Sequence, residues 1–166
     1  MELNSSLGRW ISKMFIFNRS SLLVWIVNMF KHAEKNKWYE TYFAIDVHGV
    51  ISQPDYRKKE KEINYYPYAK ETLQLLSQRD DIVMFLFTSS YPDEVDAYIK
   101  IFKEDNIHFN YINENPEIST EKGHFGYYKN KPYYNVLFED KSGFRISEWK
   151  YIYKYFKNTK YRPSIE

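Results

Sequence analysis

An α/β fold, three layers around a mostly parallel sheet with a helical arm in front, is what this sequence predicts, and three observations carry it. From residue 39 onwards, apolar runs of strand length alternate with stretches whose apolar residues recur at helical spacing. Those apolar runs lack the polar alternation of a sheet with one wet face, so helices are expected on both faces. Acids, hydroxyls and an imidazole collect where the runs end, and open parallel sheets bind ligands beyond the carboxyl ends of their strands.

The elements follow in order. "TYFAIDV" (41–47) reads as the first strand. In "YPYAKETLQLLSQRD" (66–80), Pro67 suits a first helical turn, and Ala69, Thr72, Leu73 and Leu76 fall at i, i+3, i+4 and i+7. "IVMFLFT" (82–88) is apolar almost throughout, as expected of a strand covered on both faces. "PDEVDAYIKIFKEDN" (92–106) opens with Pro92 and two acids, which suit the positive end of a helix dipole, and it buries Val95, Tyr98, Ile99 and Phe102. "FNYIN" (109–113) and "YNVLFED" (134–140) read as the third and fourth strands. "ISEWKYIYKYF" (146–156) closes the chain as a helix buried through Trp149, Ile152, Tyr153 and Phe156.

Before these elements lies an apolar arm. "MFIFN" and "SLLVWIVNMF" (21–30) are separated by Asn18, Arg19 and Ser20, so no uninterrupted run reaches the roughly 20 residues of a membrane span. No small-residue cleavage site follows, and the charged "KHAEKNK" leads directly into the first strand, which speaks against a signal peptide. Residues 8–36 are expected to form one or two helices on the core, making residues 1–38 an arm and 39–166 the functional domain. Attachment to a membrane surface or to a partner is the competing reading, since Lys13, Arg19, Lys31 and Lys35 suit anionic lipid.

Composition narrows the function. A chain of 166 residues, 43% hydrophobic and 28% charged, can form one soluble domain with its own core. A net charge of +2 is too small for stable nucleic-acid binding, and the one dense basic run, "RKKEK" (57–61), is broken by Glu60 and reads as a solvated loop. The absence of cysteine removes disulfides, thiolate nucleophiles and cysteine zinc sites, and it fits a cytoplasmic location.

Three strand ends carry the chemistry. The first, "FAIDVHGVI" (43–51), runs from apolar residues into Asp46, His48 and Gly49. The second ends in Thr88, Ser89 and Ser90, and the fourth in Glu139 and Asp140. Taken singly, each has an ordinary explanation. Asp46 could cap a strand end, Thr88 and Ser89 could cap the helix at Pro92, and the acid pair could be a solvated loop. His48 could be structural, as His32, His108 and His124 are read to be, since they share no ligand spacing.

Together and in this order, "DVHGV", "LFTSS" and "VLFEDKSGF" resemble the haloacid dehalogenase (HAD) superfamily of phosphotransferases, over roughly residues 41–157. The resemblance implies a Rossmann-like three-layer sandwich, with the arm outside it. It makes Asp46 the nucleophile that forms an aspartyl phosphate, and Gly49 the residue that allows the tight turn after it. Thr88, assisted by Ser89, would hydrogen-bond the phosphoryl group. Asp46, Glu139 and Asp140 would hold Mg²⁺, which with a lysine screens the carboxylate from an anionic substrate. For that lysine Lys131 is preferred as nearest the acid-pair strand, with Lys129 second, as a phosphate contact, and Lys122 third.

Two departures from the family pattern matter. Most family phosphatases carry an aspartate two residues after the nucleophile as general acid and base, and here that position is His48. Imidazole can do the same work near neutrality, or the change can mark altered or lost turnover. The acid pair is Glu-Asp where Asp-Asp is common, and glutamate still offers oxygen to a hard cation. Neither interval between the motifs has room for a cap domain, so the resemblance is to capless members, whose open sites accept nucleotides or macromolecular ends. "TSS" and "FNYINENP" point towards nucleotidases and polynucleotide 3'-phosphatases. The reading is thus a Mg²⁺-dependent phosphomonoesterase acting on a nucleotide or a nucleic-acid phosphate end. The alternative is a HAD-like binding or scaffold protein attached through its N-terminal helix.

Overall fold

The computed structural model describes residues 22–54, 62–118 and 131–159. The first part of the arm with Lys13 and Arg19, the basic run Arg57 to Lys61, and Lys122, His124 and Lys129 lie outside these residues.

Four strands, β1 (Thr41–Ile45), β2 (Ile82–Leu86), β3 (Tyr111–Ile112) and β4 (Val136–Phe138), form one all-parallel sheet in the order β3-β2-β1-β4. Helices α1 (Leu22–Lys35), α2 (Ala69–Ser77), α3 (Pro92–Glu104) and α4 (Trp149–Asn158) pack on it, giving the α/β, Rossmann-like arrangement that the alternating pattern predicts. The register brings the carboxyl ends level, with Ile45 opposite both Leu86 and Phe138, and Leu86 opposite Ile112. The residues that follow each strand therefore meet along one edge. The chain steps from β1 to β2 to β3 in one direction and then returns to place β4 on the other side of β1. The switch point, where open α/β sheets form their ligand crevice, lies between β1 and β4.

Side chains alternate across the sheet. Phe43, Ile45, Met84, Leu86, Val136 and Phe138 share a core cluster with the buried residues of all four helices. On the opposite face, Tyr42, Ala44, Val83 and Phe85 are buried under Ile118, Tyr133 and Tyr134 of the β3–β4 connection. A right-handed β3–β4 crossover must run over this second face, because it travels in the opposite direction to the first two. The described helices thus lie on one face, and aromatic side chains of a connection cover the other.

The helical spacings hold, with local differences. In α2, Ala69, Thr72, Leu73 and Leu76 are buried, but Pro67 does not open the helix. Tyr68 takes a left-handed φ of 69° and breaks the path between them. In α3, Val95, Tyr98 and Phe102 are buried and Ile99 is partly so. In α4 the buried stripe is Trp149, Ile152, Tyr155 and Phe156. Tyr153 sits at the edge of that stripe, where its ring packs on Tyr68 at 5.6 Å between centroids.

Helix α1 spends its apolar face on the same core, with Leu23, Ile26, Val27, Met29 and Ala33 buried, while Lys31 and Lys35 remain exposed. The buried Glu148, 126 residues away, caps it by accepting from the Leu22 backbone N–H. At the opposite end of the sheet from the site, a buried ion pair between Arg79 and Asp81 packs against the rings of Phe30 and Phe156. No described helix is long and apolar enough to cross a membrane.

Candidate active site at the carboxyl edge of the sheet

Asp46 leaves β1 with its backbone N–H donating to Phe138 O at 3.0 Å, so the ladder to β4 places it beside the acid pair. The chain then turns tightly. Ile51 N and Ser52 N both donate to Val47 O, and Gly49 N donates to Ser52 O. Gly49 adopts a φ of 81°, and a Cβ there would stand 2.5 Å from Asp140 Oδ2. Only glycine satisfies both the turn and the close approach of the carboxylate. From below, Trp149 anchors the turn by donating its indole N–H to Val50 O at 2.8 Å, while its ring stacks on Phe138.

Glu139 and Asp140 follow β4 and open a 3-10 turn (Asp140–Ser142), in which the Glu139 carboxylate accepts from Lys141 N. The pair is not a solvated loop feature on both members: the Glu139 side chain is 17% exposed, against 41% for Asp140. One carboxylate oxygen each from Asp46, Glu139 and Asp140 lie within 4.8 Å of one another. Three hard oxygen donors at this spacing, with Gly49 leaving room for one of them, fit a hard divalent cation such as Mg²⁺.

The electrostatics reflect that crowding. Burial pushes the Asp46 carboxyl above the ordinary aspartate range, opposed by hydrogen bonds from Val47 N and the Thr88 hydroxyl and by the Lys141 charge. Burial also raises Glu139, helped by its hydrogen bond with Asp140. Asp140 is lowered by that same bond and by Lys141. Lys141 Nζ lies 3.2 Å from Asp140 and 3.6 Å from Glu139.

On the β2 side, Thr88 is close enough for its hydroxyl to bond Asp46, and its Oγ1 lies 3.0 Å from Ser90 Oγ. Ser89 is exposed, so Ser90 is the hydroxyl that neighbours Thr88. Neither Thr88 nor Ser89 caps α3. Tyr91 holds that position, and the Glu94 carboxylate reaches back to accept from Tyr91 N at 3.2 Å. His48 is half-buried, with Nε2 3.0 Å from the Tyr98 hydroxyl and the two rings edge to face. Of the other histidines, His32 packs edge-on against Trp38 and His108 lies on the surface.

The structure thus gathers Asp46, Thr88, Glu139 and Asp140, four of the strand-end residues singled out from the sequence. Lys131 is exposed and forms no ion pair with the three acids. The cation beside them among the described residues is Lys141, which the sequence reading passed over. Its signal was adjacency, in the "EDK" that ends β4.

No protein-family model matches the chain, and no curated protein does. Among solved structures, a conserved protein from Bacteroides thetaiotaomicron superposes with a TM-score of 0.54 at 23% identity, covering 73% of this chain and 93% of that one. The likeness establishes a shared α/β fold.

Proposed function

We propose that this protein is a Mg²⁺-dependent phosphomonoesterase of the HAD type, working through an aspartyl-phosphate intermediate. The observation that carries the reading is the meeting of three strand ends: Asp46 after β1, the Thr88 hydroxyl after β2, and Glu139 with Asp140 after β4. In this reading Asp46 attacks phosphorus and releases the leaving oxygen, and water then cleaves the acyl phosphate and restores the carboxylate. Thr88, freed from Asp46, donates its hydroxyl to a phosphoryl oxygen, and the Lys141 ammonium offsets substrate charge. His48, steadied by the Tyr98 hydroxyl, protonates the leaving oxygen. Mg²⁺, held by Asp46, Glu139 and Asp140, would supply the positive charge that lets an anionic nucleophile approach an anionic substrate.

For the substrate we favour a nucleotide or a nucleic-acid phosphate end. Tyr91, 76% exposed three residues after Thr88, offers an aromatic face on which a base can stack. The deciding experiment is hydrolysis of an aryl phosphate with and without Mg²⁺, by the wild type, Asp46→Asn and the Glu139→Gln, Asp140→Asn double variant. Metal-dependent turnover in the wild type, absent from both variants, supports the reading. Equal turnover in Asp46→Asn would overturn it.

A further inference from the structure

Thr88 follows β2, yet its conformation is held from β3. Asn113, the first residue past β3, donates its backbone N–H to Leu86 O at 2.7 Å. Its side-chain carboxamide then continues the ladder by one rung. Oδ1 accepts from Thr88 N at 2.8 Å, and Nδ2 donates to Thr88 O at 2.8 Å. Both backbone groups of one residue are thereby fixed by a single side chain.

The residue type follows from the task. Asn113 sits at a left-handed φ of 55°, which asparagine tolerates better than most side chains. A short carboxamide carries a donor and an acceptor, whereas aspartate offers acceptors only. Asn110 and Asn135 also extend the ladder, accepting from Met84 N and Tyr42 N, but neither of those residues presents a site group.

Resting on the phosphoryl-transfer reading above, we infer that Asn113 is the positioning residue for Thr88, fixing its backbone so that its hydroxyl faces Asp46 and a phosphoryl oxygen docks between them. The carboxamide is exposed, so water can replace its bonds when it is removed. Its removal therefore disturbs geometry more than folding. Misplacement of a contact by about 1 Å can cost on the order of 10²-fold in rate.

The test is a double-mutant cycle on aryl-phosphate hydrolysis with wild type, Asn113→Gly, Thr88→Ala and the double variant. Glycine keeps the left-handed backbone and removes only the carboxamide. Asn113→Gly should lower kcat about tenfold or more, with KM within about twofold and nearly unchanged thermal unfolding. The double variant should lose no more than Thr88→Ala alone, because Asn113 acts through Thr88. Additive losses, or an unchanged kcat in Asn113→Gly beside a damaged Thr88→Ala, would overturn the positioning role while leaving the phosphatase reading intact. An inert wild type would overturn that reading and the positioning role with it. If Asn113→Gly fails to fold, Asn113→Asp, which keeps the acceptor and loses the donor, carries the same comparison.

Discussion

Gly49 and Gly143 form a matched pair for asking whether the acid cluster holds a metal. Both have positive φ, 81° and 98°, so alanine at either strains the backbone. Left-handed backbone costs a side-chain-bearing residue about 1–2 kcal/mol. At about 2–4 °C per kcal/mol for a chain of this size, each variant should melt about 2–8 °C lower. The surroundings separate them. A Cβ at Gly143 meets nothing within 4 Å, whereas one at Gly49 stands 2.5 Å from Asp140 Oδ2. Ordinary contact begins at 3.4 Å, so the carboxylate must retreat by about 0.9 Å (3.4 − 2.5) or the turn must open. A ligand displaced that far from its two partners should weaken Mg²⁺ binding by about tenfold or more, roughly 1.4 kcal/mol. Isothermal calorimetry of Mg²⁺ binding and thermal unfolding without metal measure the two effects independently. Gly143→Ala should lose stability alone, and Gly49→Ala both stability and affinity. Equal Mg²⁺ affinity in the two variants would refute a cation site that includes Asp140.

Four further outcomes are expected. Because burial lifts the folded Asp46 pKa above its unfolded value, its charge destabilises the metal-free fold above that range, and the penalty fades as both states protonate towards about pH 4. Asp46→Asn should therefore melt higher than wild type at neutral pH, with the gain vanishing on acidification in EDTA; a gain independent of pH would contradict this. Lys141→Met should weaken competitive inhibition by inorganic phosphate several-fold while Lys131→Met leaves it unchanged, and the reverse ranking would return the charge-screening role to Lys131. His48→Ala should slow nucleoside-phosphate hydrolysis by about 10²-fold or more and aryl-phosphate hydrolysis far less, since only the poor leaving group needs a proton. Tyr98→Phe should move in the same direction more weakly, because it removes the hydroxyl 3.0 Å from the imidazole; equal losses on both substrates would make His48 structural.

The sequence by itself determined the strands, the helical stripes and the candidate chemistry at the strand ends. An apolar run that stops at an acid or a hydroxyl marks the edge of a buried strand, so Asp46, Thr88, Glu139 and Asp140 were legible from local pattern alone. Helical spacing likewise identified Ala69, Thr72, Leu73 and Leu76, because a single face of a helix is a local property. The left-handed Tyr68 that displaced Pro67 from α2, and the choice of Tyr155 over Tyr153 in α4, were not legible, since each depends on what packs from elsewhere. Tertiary structure alone decided the order β3-β2-β1-β4 and everything that follows from it. It set Asp46 against the acid pair across the switch point, His48 against Tyr98, Glu148 at the start of α1, and Asn113 on Thr88. These partners lie 25 to 126 residues apart, and strand neighbours are chosen by the burial of whole faces, which no local stretch of sequence encodes.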